Sequence, residues 1–419
     1  MTARTTAAEE RRPLRIGFIG SGFIAHFHLK SLTGVRNVEV VGVYSPTPEK
    51  RAAFAASVAE LDLGECTAHE SLEALLADDR LDAVWILSPN HTRLETMEMI
   101  AAQVKAGRSG ITAVACEKPL ARTVAEARRM LALVEEAGLN HGYLENQLFS
   151  TAVVRGKEII WRRAVPNSGR PYLARAAEEH SGPHEPWFWR GDMQGGGVLL
   201  DMMCHSVEVG RFMLTRPGAA RDTLRFKSAS ATVATLKWAQ PKYAADLKAR
   251  MGGGVDYTKR PAEDFARGLL TFVDEDGQEV IVEATTSWAY VGPGLRIVIE
   301  LLGPEYALEF STLNTGLKVF MSREVTGDQG EDLVEKQNAE QGLMPVLEDE
   351  AGVYGYTDAN RHMIECFRAG RTPMETFADG VAVIEMLMAL YKSAEEGRVI
   401  EMADTDLTDY RPAVSRPQD

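Results

Sequence analysis

Leu14-Arg15-Ile16-Gly17-Phe18-Ile19-Gly20-Ser21-Gly22-Phe23-Ile24-Ala25 is the stretch on which the fold of this chain turns. Its first six residues are a short apolar run suited to a buried parallel strand. The next six read GxGxxA, and a helical stretch follows to about Leu32. Gly20 permits the tight turn, Gly22 lets backbone approach a pyrophosphate, and Ala25 allows helix to lie close on strand. The N-terminus of that helix then faces the anion. The motif alone is weak. At the head of a series of βα units it becomes a dinucleotide-binding signature that includes Phe23 and Ile24.

The units that follow supply that setting. Val38–Val43 reads as the second strand and ends Tyr44-Ser45-Pro46-Thr47, with Lys50 and Arg51 close behind. An acidic residue usually stands here in NAD-selective folds. Ser45 can hydrogen-bond a ribose instead. Lys50 and Arg51 either hold a 2′-phosphate or form a solvated helix face. NAD is the expected cofactor, with NADP left open. A helix near 71–77 precedes the strand Ala83–Leu87, which ends Ser88-Pro89-Asn90-His91 at the carboxyl edge where ligands lie in a doubly wound sheet. After a further helix and a loop between Ile100 and Ile111, the strand Ile111–Cys116 runs into Glu117-Lys118-Pro119-Leu120. A helix over Val124–Ala137 and a short strand over Asn140–Leu144 complete a Rossmann pattern.

From about Ser150 the alternation stops. Strands are expected at Thr223–Trp238, Gly268–Val273, Glu279–Tyr290, Arg296–Leu302, Ala307–Ser311 and Lys318–Met321, with Asp274-Glu275-Asp276-Gly277 as a hairpin turn. Such succession with short turns predicts a largely antiparallel open sheet. Gln240–Pro261 reads as a looped insertion, and helices at Thr357–Arg368 and Gly380–Glu396 close the fold. The fold class is α/β: a Rossmann domain at 14–149 and an α+β domain at 150–402, between tails at 1–13 and 403–419. The first tail is expected to be disordered.

GxGxxA, Ser88-Pro89-Asn90 and Cys116-Glu117-Lys118-Pro119-Leu120, in that order, resemble the Gfo/Idh/MocA family. A second signature agrees: Gly195-Gly196-Gly197-Val198-Leu199-Leu200-Asp201-Met202-Met203-Cys204-His205, preceded by Trp189-Arg190. The resemblance covers roughly residues 14 to 400. One departure lies at Glu145-Asn146-Gln147, where many relatives carry Asn-x-Arg. These residues are expected beside the nicotinamide or, alternatively, as ordinary caps and loop.

Asp201 and His205 are spaced i, i+4, so one helix face carries both. Histidine near its ordinary pKa can take the proton of a hydroxyl as a hydride leaves the same carbon. The resemblance assigns Lys118 to the reacting oxygen, Asp201 to orientation and His205 to acid/base work, with the Lys118–Pro119 bond often cis in the family. It implies cofactor contacts from Gly20, Gly22, Phe23, Ile24, Ser45, Ser88, Asn90, His91, Glu117, Lys118 and Asn146. Substrate contacts are expected from Lys118, Glu145, Tyr172, His180, Trp189, Arg190, Asp201 and His205. Aromatic rings beside polar groups suit sugars, which present apolar CH faces and polar edges. His180 and His184 are also i, i+4, but Gly182-Pro183 breaks any helix between them, and no metal is expected.

Two activities follow from the resemblance. The first is NAD(P)-dependent oxidation of a ring hydroxyl on a sugar or polyol. The alternative is an NAD-dependent glycosidase that works by transient oxidation, elimination, water addition and re-reduction, for example on sulfoquinovosides. That route needs a further acid/base, for which Glu145, Tyr172, His180 and His184 are available. A sulfonate would need cations such as Arg162, Arg163, Arg175, Arg190 or Lys242. A sensor that binds dinucleotide without turnover is disfavoured by the joint presence of Lys118, Asp201 and His205. A homodimer or homotetramer built on the open sheet face is implied by analogy only.

Composition narrows the partners. The chain has 419 residues, 45% hydrophobic and 25% charged, which suits globular domains with a substantial core. Its formal charge of −14 argues against a nucleic-acid or polybasic membrane contact. Cys66, Cys116, Cys204 and Cys366 are far apart and suit a reducing compartment. Arg11-Arg12 superficially matches a twin-arginine signal. The apolar stretch after it reads as strand and glycine turn, so the cytoplasm is expected.

Overall fold

The computed structural model describes residues 12–322, 335–336 and 341–416. The expected N-terminal tail therefore lies almost wholly outside the described residues. The chain divides into two compact units.

The first unit comprises Met1–Ala121, Ala125–Phe149 and Tyr354–Val381. Its six-stranded sheet contains β1 (Leu14–Ile19), β2 (Val38–Tyr44), β3 (Thr67–His69), β4 (Ala83–Ile86), β5 (Ala113–Glu117) and β6 (Asn140–Leu144). Their order is β3-β2-β1-β4-β5-β6, and every pairing is parallel. The order reverses beside β1, which puts a topological switch point at the glycine motif. β4 and β5 are buried along their whole length, as strands covered on both faces must be. The helix Arg93–Lys105 reaches further than the expected loop allowed, and Gly107, at φ +68°, follows it in a turn.

The helix Tyr356–Arg368 was expected within the second domain, and it packs in this first unit instead. Its apolar stripe explains the placement. Ala359, Met363, Ile364 and Phe367 are buried, and the last three join Phe18, Leu29 and Trp85 in one core.

The second unit comprises Arg122–Val124, Ser150–Val353 and Ala382–Asp419. Its main sheet contains β7 (Leu173–Glu179), β8 (Arg225–Ala234), β9 (Phe265–Val273), β10 (Glu279–Ser287), β11 (Arg296–Gly303) and β12 (Tyr306–Ser311). β13 (Leu317–Met321) and β14 (Gly342–Val346) pair separately, and β15 (Ile400–Glu401) closes the main sheet beside β8. The order is β12-β11-β7-β10-β9-β8-β15. β7 runs parallel to β10, and the other neighbours are antiparallel. Burial alternates along β7, β9, β10 and β11, so one face is covered.

The helix Val198–Leu214 covers that face. All 17 of its residues are buried, and a Cβ on Gly210 would come within 2.4 Å of Val282, so the absence of a side chain there lets helix and sheet approach closely. Gln240–Pro261 differs from the looped expectation: it opens with the helix Pro241–Arg250, whose proline sits in the first turn where no amide partner is lost. The hairpin at Asp274 forms as expected, its carboxylate accepting from the amides of Asp276 (2.9 Å) and Gln278 (2.7 Å). The segment beyond residue 402 is held as well, since Arg260 donates to the carbonyls of Ala413 and Arg416, each at 2.6 Å.

Candidate active site

In the first unit the glycine motif forms a cradle at the N-terminus of the helix Phe23–Leu32. Gly20 sits at φ +118°, and a Cβ there would lie 2.8 Å from the carbonyl carbon of Leu87. A side chain is excluded on both counts. Gly22 occupies the helix N-cap, and a Cβ on it would meet nothing within 4 Å. The first turn carries no acidic residue and no side-chain cap. A helix N-terminus with open space beside its glycine cap and no competing carboxylate fits a dinucleotide pyrophosphate. Phe23 is half exposed beside the cradle. Ser45 is buried at the end of β2, and its carbonyl accepts from Arg51 at 3.1 Å. The Arg51 guanidinium thus braces the turn carrying Ser45.

Ser88, Asn90 and His91 follow β4. Thr92 donates to Ser88 Oγ (2.9 Å), and Arg93 Nε donates to the Ser88 carbonyl (2.9 Å). Arg93 also reaches the Glu117 carbonyl at 2.6 Å and the Pro119 carbonyl, so one buried guanidinium joins both loops at the sheet edge. The Lys118–Pro119 bond is cis, and Lys118 is partly buried between fully buried neighbours.

Glu117 points into the interior, where its Oε1 lies 2.9 Å from His28 Nε2. Burial works to raise the Glu117 carboxyl. The His28 hydrogen bond and the charges of His28, Lys118 and Arg93 outweigh it and hold the group below the usual carboxylate range. The amide of Asn360 stands near the other His28 nitrogen, donates to Ser31 (2.7 Å) and accepts from Trp85 (3.0 Å). Nothing local in the sequence announces this network, because Asn360 comes from a segment more than two hundred residues away.

Glu145 and Asn146 are buried at the end of β6. Glu145 accepts from the Gln147 amide at 3.2 Å, while Asn146 donates to the Tyr354 carbonyl at 2.7 Å. Asn146 Nδ2 is thereby tied to the protein, while its buried Oδ1 makes no hydrogen bond among the described residues.

In the second unit, Asp201 and His205 lie one turn apart on the buried helix Val198–Leu214. Asp201 Oδ2 accepts from the indole of Trp288 at 3.2 Å. His205 Nε2 stands 3.9 Å from Oε2 of Glu178, which reaches it from β7. Glu178 and Trp288 were missed in the sequence. The one signal for Glu178 is a strand position where burial alternates and a carboxylate falls on the inner face.

Trp189 is buried with its ring edge against Trp238, Tyr257 and Trp288, at centroid distances of 5.3, 5.3 and 5.1 Å. Its indole donates to the Pro183 carbonyl at 3.1 Å. It is a core residue that supports Trp288, not an exposed sugar platform. His180 is buried and accepts from the Gly182 amide at 2.9 Å. Arg190 and Tyr172 are exposed, and Arg190 pairs with Asp192 at 2.8 Å. Arg175 is tied to Glu283 at 3.2 Å, and Arg162 to Glu158 at 3.3 Å.

Two family models match the chain. Residues 14–143 match the oxidoreductase family with NAD-binding Rossmann fold, and residues 167–305 match the GFO/IDH/MocA C-terminal domain. Among curated proteins, the 1,5-anhydro-D-fructose reductase of Ensifer adhaerens is 32% identical over 204 residues, 48% of this chain and 56% of that enzyme. The D-apiose dehydrogenase of Paraburkholderia graminis is 24% identical over 396 residues, covering 92% of this chain and 88% of the relative. GenD2 of gentamicin A biosynthesis, solved with NAD, shares the fold at a TM-score of 0.73 and 24% identity, across 96% of this chain and 99% of its own. Both halves of the signature, the glycine cradle with Lys118 and the helix bearing Asp201 and His205, are thus accounted for by one lineage, and the chain belongs to the Gfo/Idh/MocA family of NAD-binding oxidoreductases.

Proposed function

We propose that this chain is an NAD-dependent dehydrogenase that oxidises a secondary hydroxyl on the ring of a sugar or polyol. The observation that carries the reading is the buried pair of Glu178 and His205, 3.9 Å apart, on the helix that also bears Asp201. Removing hydrogen from a C–OH group needs a base for the hydroxyl proton and an acceptor for the hydride. His205 is the base, oriented by the Glu178 carboxylate on one side. Asp201, fixed by the Trp288 indole, receives a hydroxyl of the substrate as a hydrogen-bond acceptor. Lys118 binds the reacting oxygen and stabilises the charge that develops on it. Gly20, Gly22 and the amides of the following turn hold the pyrophosphate, and Ser45 takes the ribose. The bound nicotinamide supplies the hydride acceptor. Burial of the helix keeps water from His205, which favours proton transfer to the intended group.

The same reading extends to a cytoplasmic homodimer or homotetramer. None of the four cysteines is in a disulfide, and the outer face of the second unit's sheet presents Leu269 and Ile281 beside Arg267, Glu283 and Arg175. Among the described residues no helix is long and apolar enough to cross a membrane.

The test is to mix the protein with NAD, and separately NADP, against free sugars, polyols and chromogenic glycosides. Reduced cofactor and released aglycone are followed together. Stoichiometric reduction without aglycone release supports the proposal. Aglycone release over many turnovers per cofactor, without accumulated reduction, replaces it with the glycosidase route. Lys118→Ala is expected to abolish turnover while retaining cofactor binding.

A further inference from the structure

We infer that Glu263 and Tyr391 are positioning residues that lock the first turn of the helix Val198–Leu214 and so set the stations of Asp201 and His205. The inference rests on the function proposed above. A helix begins with amides that have no intrahelical acceptor, and a serine, threonine or aspartate side chain at the N-cap usually takes one of them. Here the N-cap is Gly197, which has no side chain.

Two distant residues take over. Glu263 Oε1 accepts from the amides of Gly197 (3.0 Å) and Leu199 (3.1 Å), and its carbonyl accepts from Val198 (3.1 Å). Tyr391 Oη accepts from Gly197 (2.9 Å) and Leu200 (3.3 Å), while its hydroxyl proton goes to Glu263 Oε1. The first amide that bonds inside the helix is that of Asp201, to the Gly197 carbonyl at 3.1 Å. Every amide from Gly197 to Leu200 is therefore held by the pair, and Asp201 begins where the pair stops.

This gives the glycines before the helix a specific task. A Cβ on Gly197 would lie 2.5 Å from the Glu263 carbonyl oxygen, and one on Gly196 would lie 2.1 Å from the Tyr391 hydroxyl. The two glycines admit the clamp.

Glu263 is coupled to Asp201 from a second side. Its neighbour Asp264 accepts the amides of Leu236 (2.6 Å), Lys237 (2.8 Å) and Trp238 (2.8 Å). The Asp264 carbonyl accepts the Trp288 amide at 2.8 Å, and the Trp288 indole ends on Asp201. One dipeptide thus anchors both the helix start and the indole that orients the carboxylate. A displacement of about 1 Å at a reacting group can cost on the order of 100-fold in rate, so a device that fixes helix placement belongs to the reaction and not only to the fold.

The experiment compares Glu263→Ala, Glu263→Gln and Tyr391→Phe in the full chain with NAD and the best substrate. Folded fraction and thermal midpoint are recorded beside kcat, KM and NADH affinity. Glu263→Ala and Tyr391→Phe are expected to lower kcat per folded molecule by about 10- to 100-fold, with NADH affinity kept within about 3-fold. Glu263→Gln retains an acceptor oxygen and is expected to restore most of kcat. A loss confined to thermal midpoint and folded fraction, with kcat per folded molecule unchanged, overturns the inference. If the wild type turns over no sugar, the functional reading fails by itself, and the clamp is then read by NMR. The His205 ring resonance, assigned with His205→Gln, should move in Glu263→Ala while those of His141 and His362 stay. An unmoved His205 resonance overturns the clamp.

Discussion

Nε2 of His205 and Oε2 of Glu178 face each other at 3.9 Å, the imidazole on a helix and the carboxylate on a strand, both buried. At that distance the contact is an ion pair whenever the imidazole carries a proton, and under the proposed reaction the carboxylate would stabilise the charge His205 takes up. Glu178→Gln keeps the volume and removes the charge. It is expected to lower kcat by about 10-fold or more, a fraction of what a positioned base contributes. Glu179→Gln, whose carboxylate pairs with Arg296 instead, is the control expected to leave kcat alone. Steady-state kinetics of the two variants decide between them.

Trp288→Phe removes the indole donor from Asp201 and keeps most of the ring. Loss of a hydrogen bond to a charged acceptor is expected to cost about 2 kcal/mol of stability. Denaturant titration measures it, and an unchanged midpoint would mean that water replaces the indole at Asp201.

Gly22→Asp separates cofactor binding from folding. Its φ is −83° and the space around it is open, so the fold should survive. A carboxylate at that helix N-terminus would occupy and repel the pyrophosphate, and NADH titration by fluorescence should show at least about 10-fold weaker binding. Gly20→Ala should instead destabilise the unit by about 1–3 kcal/mol, since its backbone conformation and the Leu87 contact both oppose a side chain.

Lys157 makes stability depend on pH. Burial, with help from Arg221 and against Glu208, pushes its amine down to about 7 from the ordinary 10.5. It still donates to the Phe212 carbonyl at 2.6 Å and lies over the Phe212 ring. Between those two values the unfolded chain binds a proton that the folded chain does not, so stability from this group rises with pH across the window. It is complete above the unfolded value and lost as pH falls toward 7. Lys157→Met should therefore show a smaller gain in thermal midpoint from pH 7 to pH 9 than the wild type. An equal gain in both would remove Lys157 from the account.

The parts legible in the sequence are those whose chemistry is local. Gly20-Ser21-Gly22 sits between its strand and helix, and Lys118-Pro119 follows a buried strand. Asp201 and His205 are one helical turn apart because helical spacing alone dictates it. What escaped reading comes from contacts distant along the chain. Glu178, Trp288, Glu263 and Tyr391 each reach the helix Val198–Leu214 from another element, and no periodicity connects them to it. Trp189-Arg190 shows the opposite error. Aromatic and charged residues ahead of the signature suggested a sugar surface, whereas Trp189 is enclosed by Trp238, Tyr257 and Trp288 and Arg190 faces solvent. The position of Asn146 after the last Rossmann strand was legible, but not the Tyr354 carbonyl, distant along the chain, that takes its Nδ2.

The return of Tyr354–Val381 to the first unit bears on how this protein can be cut and recombined. A fragment ending at residue 149 would leave His28 without Asn360 and expose the side of Trp85 that Phe367 covers. Such a fragment should aggregate or stay partly unfolded, however complete its strand order looks on paper. A working transplant of the nucleotide module into another scaffold must carry the later segment too, as a second insert or through a rewired chain order.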